Sequence, residues 1–143
     1  MGMRTAVTRI VSLILFSSAI PLLAHHSFGV EYDATKPVML TGVITKIELT
    51  NPHSHFYLDV KDESGNVVNW KFEGYGPGVL LRTGWKKETM KPGDKITVSG
   101  WRARDGGNWA HSREITLPGG QKLFFGPPAG TGDGGATPAV EVR

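Results

Sequence analysis

Phe56-Tyr57-Leu58-Asp59-Val60, the turn cluster Asp62-Glu63-Ser64-Gly65-Asn66, and Val68-Asn69-Trp70-Lys71-Phe72-Glu73 form the stretch whose reading decides the fold. Large apolar side chains occupy every second position on both sides of five turn-forming residues. Successive residues of a strand point to opposite faces, so Phe56, Leu58 and Val60 share one face, and Val68, Trp70 and Phe72 share another. Folding the two segments back on each other at the turn buries both apolar rows against one core. Asp59 and Glu73 fall on the other side and are expected to face solvent. The stretch is a β-hairpin with one buried face.

The same grammar extends outward. Upstream, Val38 to Leu49 reads as a long strand with Gly42 as a bend or bulge, and Asn51-Pro52 marks the loop that joins it to the hairpin. Downstream, Gly74 to Gly78 interrupts the sheet and Val79 to Trp85 supplies one or two helical turns, ending near Gly84. Lys91-Pro92-Gly93-Asp94 then launches a strand carrying Ile96, Val98 and Gly100. A second hairpin turn at Asp105-Gly106-Gly107-Asn108 leads to a strand from Trp109 to Leu117, and Lys122 to Phe125 adds a short last one. Three strands, a short helix and two strands are the order of a small all-β, OB-like five-stranded Greek-key barrel with its helix between strands 3 and 4. A small β-sandwich is the alternative that buries the same faces.

The ends differ in composition from this centre. Arg4 and Arg9 precede an apolar run from Ile10 to Ile20, broken by Ser12, Ser17 and Ser18, and Ala24 supplies a small residue for cleavage. That order is expected of a secretory signal peptide over residues 1–24. The run is too short and too interrupted for a membrane span of about 20 apolar residues, so no stable membrane anchor is expected after cleavage. At the other end, residues 126–143 are dense in Gly, Pro, Ala and Thr and are expected to form a disordered tail. The expected organisation is therefore signal peptide 1–24, an N-terminal segment 25–35, a β-barrel domain 36–125 and the tail. The expected address is the periplasm or the extracellular space, by the general secretory route.

Export changes the charge argument. The 143-residue chain has 16 basic and 13 acidic residues, but Arg4 and Arg9 leave with the signal, which brings the net charge from +3 to about +1. Neutralising nucleic-acid phosphates needs a larger cationic surplus, so nucleic acid is not an expected partner. There is no cysteine, and stability must come from packing.

The pieces His25-His26-Ser27-Phe28, Tyr32-Asp33, Lys36-Pro37, Leu40-Thr41-Gly42, Asn51-Pro52-His53, Asp59-Val60, Asn69-Trp70 and Lys91-Pro92-Gly93-Asp94 together resemble a group of small exported bacterial proteins catalogued as a domain of unknown function. The resemblance runs from His25 to about Phe125. It implies an exported single domain and brings no activity, so the chemistry has to be read from the residues.

Five histidines stand in the chain, four of them at two places: His25 and His26 at the expected mature N-terminus, and His53 and His55 in the loop after the first strand. Neutral imidazoles suit copper, zinc and nickel. Cleavage after Ala24 would create an α-amino group beside the His25 imidazole, and the two can chelate one ion. A further nitrogen from His53 or His55 gives an arrangement similar to the histidine brace of copper-dependent oxygenases and some copper carriers. Copper(II) heads the divalent affinity order and favours nitrogen-rich tetragonal sites, whereas Met39 and Met90 are the chain's candidates for the soft sulfur that copper(I) prefers. The plainer reading has a polar N-terminus and an ordinary turn at Asn51-Pro52-His53. His111, on the last long strand, is expected to serve structure.

Trp101 alternates against Ile96, Val98 and Gly100 and is expected to point outward with Trp109, Arg102 and Arg104 as an aromatic, cationic patch. Such a patch would serve an adaptor or small-ligand module, its partner an unknown envelope protein or small ligand. Catalysis has little to stand on: there is no G-x-S-x-G elbow, no H-E-x-x-H helix and no phosphate-cradling loop. The sequence reads as a binding protein and not an enzyme, with copper(II) as the candidate cofactor.

Overall fold

The computed structural model describes residues 28–127. The hairpin forms as its alternation requires. β2 (Ser54–Lys61) and β3 (Val67–Gly74) pair antiparallel with Phe56 opposite Phe72, Leu58 opposite Trp70 and Val60 opposite Val68. All but Val68 are buried, and the Phe56 and Phe72 rings stack with centroids 5.0 Å apart. The turn is built by Asp62, whose carboxylate accepts the backbone N–H groups of Ser64 and Asn66 at 2.9 and 2.8 Å. Gly65 sits there at φ +84°, where a side chain would be strained.

Around the hairpin stand α1 (Phe28–Glu31), β1 (Tyr32–Glu48), α2 (Pro77–Arg82), β4 (Lys95–Ala103), β5 (Trp109–Thr116) and β6 (Lys122–Phe124). β1 is long enough to serve two neighbours: Val43 to Glu48 pair with β2, and Tyr32 to Val43 with β4. A register shift lies between Ile44 and Lys46, so the bulge is at Thr45 and not at Gly42. Gly42 has a different use, since a Cβ there would lie 2.6 Å from the Asp59 carbonyl. β4 pairs antiparallel with β5, and β5 meets β3 in a short parallel seam of Lys71 with Trp109, Phe72 with Ala110 and Glu73 with His111. Hydrogen bonding thus runs β1-β2-β3-β5-β4 and back to β1, with β6 added at the outer edge of β5. This irregular closed ring, with α2 between β3 and β4, is the small all-β, OB-like architecture that the element order predicts.

Inside the ring Ile44, Phe56, Leu58, Trp70, Phe72, Ile96, Val98 and Ile115 pack together, and Leu80 of α2, Trp85 and Phe125 close the core at one side. Phe125 lies edge-on to both Phe56 and Trp85. The sequence places the first strand from Val38, but it begins at Tyr32. Asp33, Thr35 and Lys36 look like a polar turn, and Asp33 does accept two bonds from Thr35. Aromatic contacts of Phe28 and Tyr32 farther along the structure nevertheless hold this stretch against β4. Among the described residues no helix is long and apolar enough to cross a membrane.

Candidate functional site

The register of the sheet assembles a row that no local pattern announces. His55 of β2 opposes Glu73 of β3, Glu73 opposes His111 of β5 across the parallel seam, and His111 opposes Trp101 of β4. Each alternates with core residues on its own strand, so the four lie side by side on the outer face of the ring. β5 reaches this arrangement through a register shift. Glu114 pairs with Ser99 and Ser112 with Gly100, leaving Arg113 as the extra residue. The shift separates His111 from Ile115 and Leu117, which the unbroken alternation would put on the same side; those two are in the core.

Half of the row is roofed. Phe28 packs edge-on against Trp101 and His111 at 5.4 and 5.3 Å, and Tyr32 against Trp109 and His111 at 5.1 and 5.2 Å. Arg104 fastens this cover, its Nε donating to the Gly29 carbonyl at 2.6 Å and its backbone N–H to that of Glu31 at 2.9 Å. The result is a second small aromatic core outside the ring. Trp101 takes the outward direction that alternation predicts, yet it is 1% exposed because α1 and the start of β1 lie over it. The expected ligand patch is corrected accordingly. Arg102 is turned to the Gly106 and Gly107 carbonyls and over the Trp70 ring, Arg104 holds the cover, and the Trp109 indole N–H donates to Asp105. Of the four residues only Trp101 is buried, while Arg102 and Trp109 are half-buried and Arg104 is exposed, each engaged with its own loop or cover.

The other half of the row is more open. His53, in the loop before β2, places Nδ1 2.8 Å from Glu73 Oε1, and His55 places Nε2 3.4 Å from Glu73 Oε2. One carboxylate therefore serves both histidines, one oxygen each. The loop that carries His53 is held by the Thr50 hydroxyl, which donates to the His53 carbonyl at 3.0 Å, and by the Ser54 N–H, which donates to the Tyr75 carbonyl at 3.2 Å. The Glu73 side chain is only 14% exposed, against 47% for His53 and 18% for His55. It is not the solvated hairpin residue that the strand period suggests.

Partial burial pushes the His55 pKa down, with Lys71 adding to the effect and Glu73 and Glu48 opposing it. His55 is thereby kept neutral near pH 7. Burial, reinforced by the Glu73 carboxylate, likewise holds the Tyr32 phenol in its protonated form. Of the histidines singled out in the sequence, His53 and His55 do come together, through Glu73, and His111 lies beneath Phe28 and Tyr32. His25 and His26 lie outside the described residues. Among the described residues no three His, Cys, Asp or Glu side chains converge as a complete metal site. Met90 is buried in the core and does not belong to the row.

Fold and site together define a small all-β protein with an OB-like ring, carrying a histidine-carboxylate cluster on its outer face. Residues 13–112 match the model of a family of unknown function (DUF6152), and the chain belongs to that family. None of the curated proteins and none of the solved structures matches it. Membership brings no established chemistry.

Proposed function

We propose that this is an exported, non-catalytic binding protein that takes up copper(II) between its mature N-terminus and the loop before β2. The observation that carries the reading is the 2.8 Å contact of His53 Nδ1 with Glu73. A histidine that ligates a metal characteristically donates its second ring N–H to a carboxylate, which fixes the tautomer and raises the basicity of the ligating nitrogen. His53 has such a partner in Glu73.

The N-terminal half of the site is supported by tethering. Phe28 is fixed over His111, whose register neighbour is Glu73. His25 precedes Phe28 by three residues, a span of up to about 10 Å of extended chain, and adjacent strands are about 4.8 Å apart. The amine and imidazole of His25, with His26 beside them, are within chain reach of the His53 side of the row. The donors are then nitrogens, a set that favours copper(II) over the harder divalent ions.

The test uses the mature chain beginning at His25, titrated with copper(II) while melting temperature and visible absorption are followed. Free copper at a thousand times its dissociation constant should stabilise the fold by about 4 kcal/mol. One additional residue before His25 should remove most of that gain, because the chelating amine moves away from its imidazole. A gain that survives the additional residue undiminished rules out the N-terminal chelate.

A further inference from the structure

We infer that His53 of the loop and His55 of β2 have different jobs: His53 supplies the metal ligand through Nε2, Glu73 is its positioning residue, and His55 holds Glu73 and not the metal. This rests on the copper reading above and sharpens it to single atoms.

The carboxylate of Glu73 is an acceptor, so the imidazole nitrogen it faces at hydrogen-bond distance is the one that carries the proton. For His53 that nitrogen is Nδ1, at 2.8 Å. A neutral imidazole has one protonated and one bare nitrogen, and the lone pair of His53 is left on Nε2. The ring is the more open of the two, at 47% exposed against 18% for His55, so an ion has access to it. His55 is oriented the other way round. Its Nε2 is the nitrogen that faces Glu73, at 3.4 Å, and its side chain is 18% exposed between Glu48 and Glu73, its register neighbours on either side. It is thus placed to steady the second carboxylate oxygen. Glu73 has both oxygens committed and little exposure, which suits a group that orients a ligand better than one that binds the ion itself.

The consequence is readable before any metal is added. In nitrogen-15 NMR of the metal-free mature protein, His53 should appear as the Nδ1–H tautomer and His55 as the Nε2–H tautomer. Glu73→Gln, which keeps the size of the side chain and gives up the double acceptor, should mix the His53 tautomers and lower copper(II) affinity about 10- to 100-fold, with the melting temperature of the metal-free protein nearly unchanged. His53→Ala should lose more than Glu73→Gln, and His55→Gln should lose less than either. An Nε2–H tautomer of His53 in the wild type overturns the inference, as does a His55→Gln loss as large as that of His53→Ala. Equal copper affinity of wild type and Glu73→Gln also overturns the role of Glu73 while leaving the copper reading in place. No copper uptake by the wild type overturns both.

Discussion

His55 titrates against its surroundings. Its ring is partly withdrawn from water and Lys71 lies nearby, so the folded protein binds that proton less readily than the unfolded chain does. Where the unfolded state binds more protons, stability rises with pH. The His55 contribution is therefore complete above about pH 6.5, the ordinary histidine value, and is lost as pH falls from there toward the lower folded pKa. Melting temperatures of the metal-free protein should decline between about pH 7 and pH 5, and His55→Gln should flatten that decline. An unchanged slope would mean that the burial of His55 costs nothing. Asp94, held low chiefly by its bond from the Lys91 side chain, contributes in a more acidic window. Its stabilisation is present above the ordinary carboxylate range and is lost as pH falls through its lowered folded value. Glu73 shows how far a single position can be read from sequence: its period assigns it to the outer face, correctly, while its two histidine neighbours come from the strand register and from a loop.

The N-terminal cover is the element on which most of the unexpected structure depends. Phe28 and Tyr32 have no apolar periodicity around them, yet they bury Trp101 and His111 on the outside of the ring. Phe28→Ala should cost about 1 kcal/mol, near half the value for full burial of the ring, since Phe28 is only partly buried. It should also shift tryptophan emission to the red as water reaches Trp101. Arg104→Ala removes the bond to the Gly29 carbonyl and should give the same red shift with a smaller loss of stability. Emission unmoved by either change would show that Trp101 is shielded by something other than α1. The strand that follows was foreseeable in part: Val38 to Leu49 has strand composition, whereas Tyr32 to Pro37 gains its place by pairing at its two ends with β4.

At the scale of the whole molecule, closure of the ring is the decisive event, and it requires close backbone approach. A Cβ at Gly100 would fall inside contact distance of the His111 carbonyl, beside the register shift that turns His111 to the outer face. Gly100→Ala therefore forces β4 and β5 apart. It should destabilise by about 3 kcal/mol, the upper part of the range for overpacking, read from denaturant unfolding of the purified protein. A cost below about 0.5 kcal/mol, the ordinary size of an innocuous surface change, would contradict the tight seam. The sequence by itself determined most of each strand, the turns and the order of elements around a short helix, because period-two burial and turn chemistry act over a few neighbouring residues. Between an OB-like ring and a β-sandwich the long-range pairings of β1 with β4 and β3 with β5 decided. The sequence also singled out His53 and His55 as neighbours. Only the tertiary structure decided that Glu73 stands between them, that His111 continues the row and that Trp101 is covered. Those facts come from register across β2, β3, β5 and β4, and from an N-terminal segment folded over strands some 70 residues later in the chain. Contacts between residues that far apart leave no periodic trace in either partner.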